Sequence, residues 1–271
     1  MAVTFRKAPL IELIAELRWI PQGSSTIEPA MQQGTLPVFF GGTKQEEFYM
    51  RVGGALFKSG FNRSERLSPA GMPFALHQPV YRFRSEMDDR RSVLYQVGYG
   101  IFSIHAIPPY HSWATFWPFV KTAIEVLLES RPDADSKLSF SQLTLRYIDF
   151  FSEELMQGRD IPAFMSQVLG ISTTLPKALT QAASPNEVRS LFTKVVLPVG
   201  IGDLTVGVGD GKFNNQSDIL LDTAVSATET RAFRDLLGPL HNDSYNLANA
   251  SARQCSSMLA SCESASAHGI N

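Results

Sequence analysis

The sequence predicts an α+β fold in which two copies of a β-α-β-β-β-α unit share one mostly antiparallel sheet covered by helices. Three observations predict it. LRWI at residues 17 to 20 returns as LRYI at residues 145 to 148, a spacing of 145 − 17 = 128. Several short segments carry apolar residues on alternate positions, as strands with one buried face do. The order strand, short helix, three strands, long helix follows each motif in turn.

In PLIELIAELRWI, Ile11, Leu13, Ala15, Leu17 and Trp19 share one side, while Glu12, Ile14, Glu16 and Arg18 share the other. That is a strand with one apolar face. KQEEFYMRVGGALFKSGF then offers Phe48, Val52 and Leu56 at helical spacing, with Gly60 placed to stop the helix. VYRFRSEM, SVLYQVGYG and IFSIHAIPP read as three strands, the first two joined by Asp88, Asp89, Arg90 and Arg91. The clearest helix follows, with Ser112 as N-cap, Phe116, Val120, Ile124 and Leu127 or Leu128 on one face, Pro118 in its early turns and Pro132 at its end.

The second unit opens with LSFSQLTLRYIDFF as a strand and DIPAFMSQVLG as a short helix with Pro162 in its first turn. NEVRSLFTKVVLPV and GDLTVGVGDGKFN read as strands, the latter running into a turn at Asp210-Gly211. SDILLDTAVSA is the last strand, and Thr228 to Ser261 has a helical pattern. The units divide at residues 1–135 and 136–271. Because neither small sheet closes on itself, the two are expected side by side about a pseudo-twofold axis, with their opening strands at the seam.

Composition excludes several classes. With 44% hydrophobic and 18% charged residues, the chain has the make-up of a folded globular protein, and its 271 residues suffice for a sizeable core. A net charge of −2 gives no global basic field for a phosphate backbone, so nucleic acid is not an expected partner. Glu12, Glu16 and Arg18 break the only apolar stretch near the start, which argues against a signal-peptide core, and no run reaches the roughly 18 apolar residues of a membrane span. Cys255 and Cys262, seven apart on a helical pattern, are too far apart along it to bridge. A reduced, cytoplasmic setting is the expectation.

No motif for metal, phosphate or nucleophile survives its spacing test. GVGDGK has Val206 and Phe213 where a phosphate loop needs glycine and a hydroxyl residue. The five histidines show no metal-ligand spacing, no serine sits in a GxSxG elbow, and neither cysteine has a basic neighbourhood. No cofactor and no metal are expected.

Three stretches, KAPLIELIAELRW, QVGYGIFSIHAIPPYHSWATFWPFV and LTLRYIDFF, resemble a sporadically distributed family of bacterial proteins of about 260 residues. Its pattern is a Pro-Leu-Val-Glu opening strand, a Pro-Tyr-x-x-Trp-x-x-Phe helix start and a Leu-Arg-Tyr-Ile strand. The matching positions are Pro9, Leu10 and Glu12; Pro109, Tyr110, Trp113 and Phe116; and Leu145, Arg146, Tyr147 and Ile148. His105 stands where that pattern more often has asparagine. The resemblance implies no particular activity, and the family's patchy distribution implies mobile or defence-associated gene neighbourhoods.

The candidate ligand-binding residues are Glu12, Glu16, Arg18, Arg146 and Asp149. If both opening strands meet at the axis, carboxylates and guanidiniums from both halves converge opposite Trp19 and Tyr147. One reading is a paired network that fixes the middle of the sheet. The other is the floor of a polar groove, with both arginines holding a carboxylate or phosphate. Tyr110, Trp113 and Trp117 at the start of the long helix are the candidate partner-binding residues, unless they anchor the core. The expected function is that of a non-catalytic interaction or sensor protein, binding a partner protein or a small anionic ligand. The competing expectations are a hydrolase-like enzyme using Glu12, Glu16 and Asp149 with an arginine, and a single-stranded nucleic-acid binder.

Overall fold

The computed structural model describes residues 9–21, 38–39, 42–69, 71–87, 90–109, 112–131, 140–172, 174, 176, 192–200, 202–214 and 216–228. These form a mixed α+β structure with one nine-stranded antiparallel sheet, a second sheet of two short strands, and four helices. The strands are β1 (Leu10–Arg18), β2 (Val38–Phe39), β3 (Arg63–Arg66), β4 (Phe74–Ala75), β5 (Pro79–Arg84), β6 (Val93–Gly98), β7 (Ile101–Ala106), β8 (Gln142–Phe151), β9 (Phe192–Val199), β10 (Gly202–Phe213) and β11 (Gln216–Ala227). The helices are α1 (Thr43–Lys58), α2 (Trp113–Ser130), α3 (Glu153–Met156) and α4 (Ile161–Gln167).

The large sheet runs β3-β5-β6-β7-β1-β8-β11-β10-β9. Outward from the middle, one wing is β1, β7, β6, β5 and the other is β8, β11, β10, β9. Each wing therefore begins with its leading strand and continues with the last-made strand of its half. The expected meeting of the two leading strands is present: β1 and β8 pair antiparallel in the centre. In their register Glu16 faces Thr144, Ala15 faces Leu145 and Leu17 faces Leu143. The opposed pair differs by 144 − 16 = 128, the spacing of the two arginine motifs.

Alternation along β1 sends Leu13, Ala15, Leu17 and Trp19 into the core, together with Leu143, Leu145 and Tyr147 of β8. Phe48, Val52 and Leu56 of α1 and Phe116, Val120, Ala123 and Leu127 of α2 cover that same side. This cluster also takes in Leu204, Val225 and Ala227, so residues of both halves share one core. Each large side chain fully buried there is worth about 1.5–3 kcal/mol. A second cluster joins α3 and α4 to the other wing through Met156, Phe164, Met165, Phe151, Val208 and Leu221. Local signals set the helix ends as expected. The Ser112 hydroxyl accepts from the Thr115 N–H, and the Asp160 carboxylate accepts from the Ala163 N–H.

Several details differ from the sequence reading. Asp210-Gly211 is not a turn: both residues lie inside β10, paired with Ile219 and Asp218, and the chain reverses at Asn214, whose φ is 49°. Gly211 is needed for space, since a Cβ there would stand 2.5 Å from Leu220 Cβ across the ladder. The strands β2, β3 and β4 and the helix α3 lacked a sequence signal. β9 begins at Phe192, and Phe192, Val195, Val196 and Leu197 are exposed along this edge strand. The pattern from Thr228 to Ser261, with Cys255 and Cys262, falls outside the described residues apart from Thr228 itself.

Candidate functional site

All four helices lie on one side of the large sheet, and no described helix packs on the other. That other side carries the polar residues of each alternating strand, with Ile14, Leu94, Ile101 and Phe150 buried among them. One register line crosses it from β3 to β10 through Glu65, Arg82, Gln96, Ser103, Glu16, Thr144, Ser226 and Asp203, without a single apolar residue. The adjacent lines mix Arg18, His105 and Arg146 with the buried Ile14, Leu94 and Ile101, and the line beyond joins Glu12 to Asp222 through Ile148.

Three hydrogen-bonded groups occupy the middle of this face. The Arg18 guanidinium donates from Nε to Glu16 Oε1 at 2.6 Å. Arg146 grips Asp222 bidentately, Nε to Oδ1 at 2.7 Å and Nη2 to Oδ2 at 2.5 Å, across the β8–β11 boundary. That fork of hydrogen bonds raises the Arg146 pKa, against burial, and the Asp222, Glu16 and Glu12 charges add to it. Between them, Glu12 Oε1 lies 2.7 Å from His105 Nδ1, and Ser103 Oγ lies 2.9 Å from His105 Nε2. Burial pushes the Glu12 carboxyl up, but the His105 hydrogen bond and charge, with Arg146 and Arg82 further off, outweigh it and leave Glu12 below its ordinary range.

The order carboxylate, imidazole, hydroxyl has the connectivity of a nucleophile relay. In a neutral ring, Nδ1–H donates to Glu12, and Nε2 accepts from the Ser103 hydroxyl. Accessibility and backbone argue against nucleophilic use. Ser103 is only 2% exposed. Moreover β7 is paired with β1 and β6 on its two sides, so its amides serve the ladder rather than a nascent oxyanion. The chain of bonds fixes side chains on the face.

The structure thus brings together Glu12, Glu16, Arg18 and Arg146, as the alternation required. Arg18 faces Gln142 and Arg146 faces Ile14, so the arginines are four positions apart along the seam. At about 3.3 Å per residue that is roughly 13 Å, too far for one small anion to join them. Each is already held by a carboxylate of the chain.

Asp149 is elsewhere. It lies an odd number of positions from Arg146 and shares the core-facing parity of Tyr147 and Phe151. It faces Leu10 and Leu221, and is 8% exposed. Burial alone pushes its carboxyl up to about 7. Trp113 and Trp117 are half-buried, packed against the core on one side and stacked on each other at 5.7 Å. Tyr110 lies outside the described residues.

His105, Ser103 and Asp222 were not selected from sequence, although parity places Asp222 opposite Ile219, Leu221 and Val225. What sequence could not supply was which strand lies beside which. Among the described residues, no group of three or more His, Cys, Asp or Glu side chains could hold a metal ion, and no helix is long and apolar enough to cross a membrane. No protein-family model matches the chain, and no curated protein matches it.

Proposed function

We propose that this is an interaction protein whose polar sheet face docks a partner protein, with Glu12, Glu16, Arg18 and Arg146 at the centre of the contact. The observation that carries the reading is the uninterrupted polar line from Glu65 to Asp203 on the side that no described helix covers. Opposite charges alternate along and beside it, from Arg82 with Glu65 to Arg146 with Asp222. A surface of that kind matches a broad partner of complementary charge, which gains specificity and fast association from it. A small anion is the weaker reading, because both central arginines already have carboxylate partners.

We further infer that the two halves are copies. The mirrored wing order and the opposition of Glu16 with Thr144, at the same 128-residue offset as the motifs, support this. On this reading the twofold passes between those two residues, and the units are residues 1–135 and 136–271. Membership of the sporadic bacterial family, its association with mobile or defence genes, and a cytoplasmic setting belong to the same proposal and rest on the motifs quoted above.

The test is comparative capture from a native host, with the full chain and its Arg18→Ala/Arg146→Ala variant as baits. The side chains of these arginines are 36% and 43% exposed, so each pair contributes only about 0–1 kcal/mol to stability. The variant is therefore expected to stay folded, with a melting temperature lower by no more than about 4 °C per kcal/mol lost. A stoichiometric partner that binds the parent and is lost from this folded variant supports the proposal. Equal capture by both, or collapse of the variant, contradicts it.

A further inference from the structure

At the β3 end of the sheet the matching of charges on the polar face breaks down. Further in, each arginine has an acid: Arg82 stands directly across from Glu65, Arg18 is held by Glu16, and Arg146 by Asp222. Two residues along the same pair of strands, the register sets Arg63 opposite Arg84. Both share the parity of Glu65 and Arg82, so both project from the polar face, away from Tyr81 and Phe83. Like charges directly across a ladder oppose its pairing.

The chain does little to neutralise them. Arg84 is exposed at the end of β5, with Leu94 of β6 as its other neighbour, and its guanidinium has neither a hydrogen-bond nor an ion-pair partner among the described residues. Arg63 reaches Glu86 only at 3.4 Å, with the two side chains 70% and 58% exposed. A pair that open contributes little and yields readily to a competing anion. Beside them, Arg82 donates from Nη1 to Glu65 at 3.3 Å, while its Nε is buried without a hydrogen-bond partner. Three arginines thus stand against two glutamates.

Geometry selects the anion. Directly opposed residues have Cβ atoms about 4.5–5.5 Å apart, which lets two long side chains close on one group. A guanidinium matches two oxygens at a time. A carboxylate has two oxygens and one charge, so a single fork satisfies it, as Arg146 does for Asp222. A phosphate monoester has three free oxygens and a charge of about −1.5 to −2 at neutral pH, enough for both forks. Glu65 and Glu86 flank the arginines and repel a continuing run of phosphates, which disfavours a nucleic-acid backbone.

We propose that Arg63 and Arg84 together bind a phosphate monoester. The site lies on the face assigned above to docking but does not rest on that assignment, because Arg18 and Arg146 take no part in it. The probe is the fluorescein-labelled peptide Ala-Gly-phosphoserine-Gly-Ala, titrated with the full chain by fluorescence anisotropy at low salt. Saturable binding is expected, at least about tenfold weaker for peptides with Ser or Glu in place of phosphoserine and for the Arg63→Gln and Arg84→Glu proteins. Binding should also weaken as the pH falls through about 6, where the dianion takes up a proton. Both substitutions remove the opposition of like charges on an exposed surface, so both variants should melt no lower than the parent. Competition by free O-phosphoserine separates two sources of the group: competition equal to that of the unlabelled phosphopeptide assigns the site to a small phosphorylated molecule, and weaker competition assigns it to a phosphorylated side chain of a protein. Absence of saturable binding up to millimolar protein, equal binding of the Glu peptide, or equal binding by Arg84→Glu overturns the proposal. A lower melting temperature for Arg84→Glu would show that the two arginines are not opposed, and overturns it as well.

Discussion

Replacing Asp149 with asparagine is expected to stabilise the protein at pH 8 by up to about 4 kcal/mol while changing little at pH 4. The carboxyl titrates near 7 in the folded chain because it is buried beside Leu10 and Leu221, with no charged group compensating its desolvation. In the unfolded chain it titrates near 3.9. Below that value both states carry the proton, and the folded state is not penalised. As the pH rises toward 7 the unfolded chain ionises first, so stability falls by roughly 1.4 kcal/mol per unit. Above 7 both states are ionised and the loss is complete. Asparagine keeps the shape and has no proton to lose. Urea denaturation of both proteins from pH 4 to pH 8 checks this: the curves should diverge on the alkaline side, and parallel curves would place Asp149 in water or beside a cation.

Truncating Leu17 or Leu145 to alanine is expected to cost about 2–5 kcal/mol each, by loss of transfer free energy and by the cavity left in a close-packed core. Both are essentially inaccessible, at 1% and 0% exposure. Their positions in the fold give the prediction a second part. Each lies on a seam strand and packs in a cluster that draws on both halves, so there is no half-molecule that can melt alone. Either substitution should lower one cooperative transition, observed identically by tryptophan fluorescence and by far-ultraviolet circular dichroism. Two separated transitions, with Leu17→Ala moving one and Leu145→Ala the other, would describe independent domains.

The seam was legible because two signals agreed. The repeated Leu-Arg-aromatic-Ile run named the leading strands, and alternation along PLIELIAELRWI assigned Arg18 and Glu16 to the side opposite Trp19. Asp149 was legible too: from Arg146 it is three positions along a period-two strand, and only a bulge between them would have brought it to the arginine. Its membership of the charged cluster ignored that count. The partnerships Arg146–Asp222 and Glu12–His105 were not legible, since they join residues 76 and 93 positions apart and depend on strand order. β3 was invisible for another reason. Arg63, Ser64, Glu65 and Arg66 show no apolar alternation, and the segment is a strand because β5 pairs with it. Gly211 was misread because Asp-Gly is a turn signal only when the flanking strands end there, and the close approach of Leu220 serves equally well to select glycine.

The most direct test of the account joins the two leading strands chemically. Glu16→Cys and Thr144→Cys, introduced together into a Cys255→Ser/Cys262→Ser background, face each other across the seam. Directly opposed residues of antiparallel strands have Cα atoms about 4.5–5.5 Å apart, within the range a disulfide spans. Mild oxidation should cross-link the monomer quantitatively, and peptide mass spectrometry should find the linkage between residues 16 and 144. Two free thiols remaining in the folded, oxidised protein would show that β1 and β8 do not meet, and both the shared core and the polar face would lose their basis.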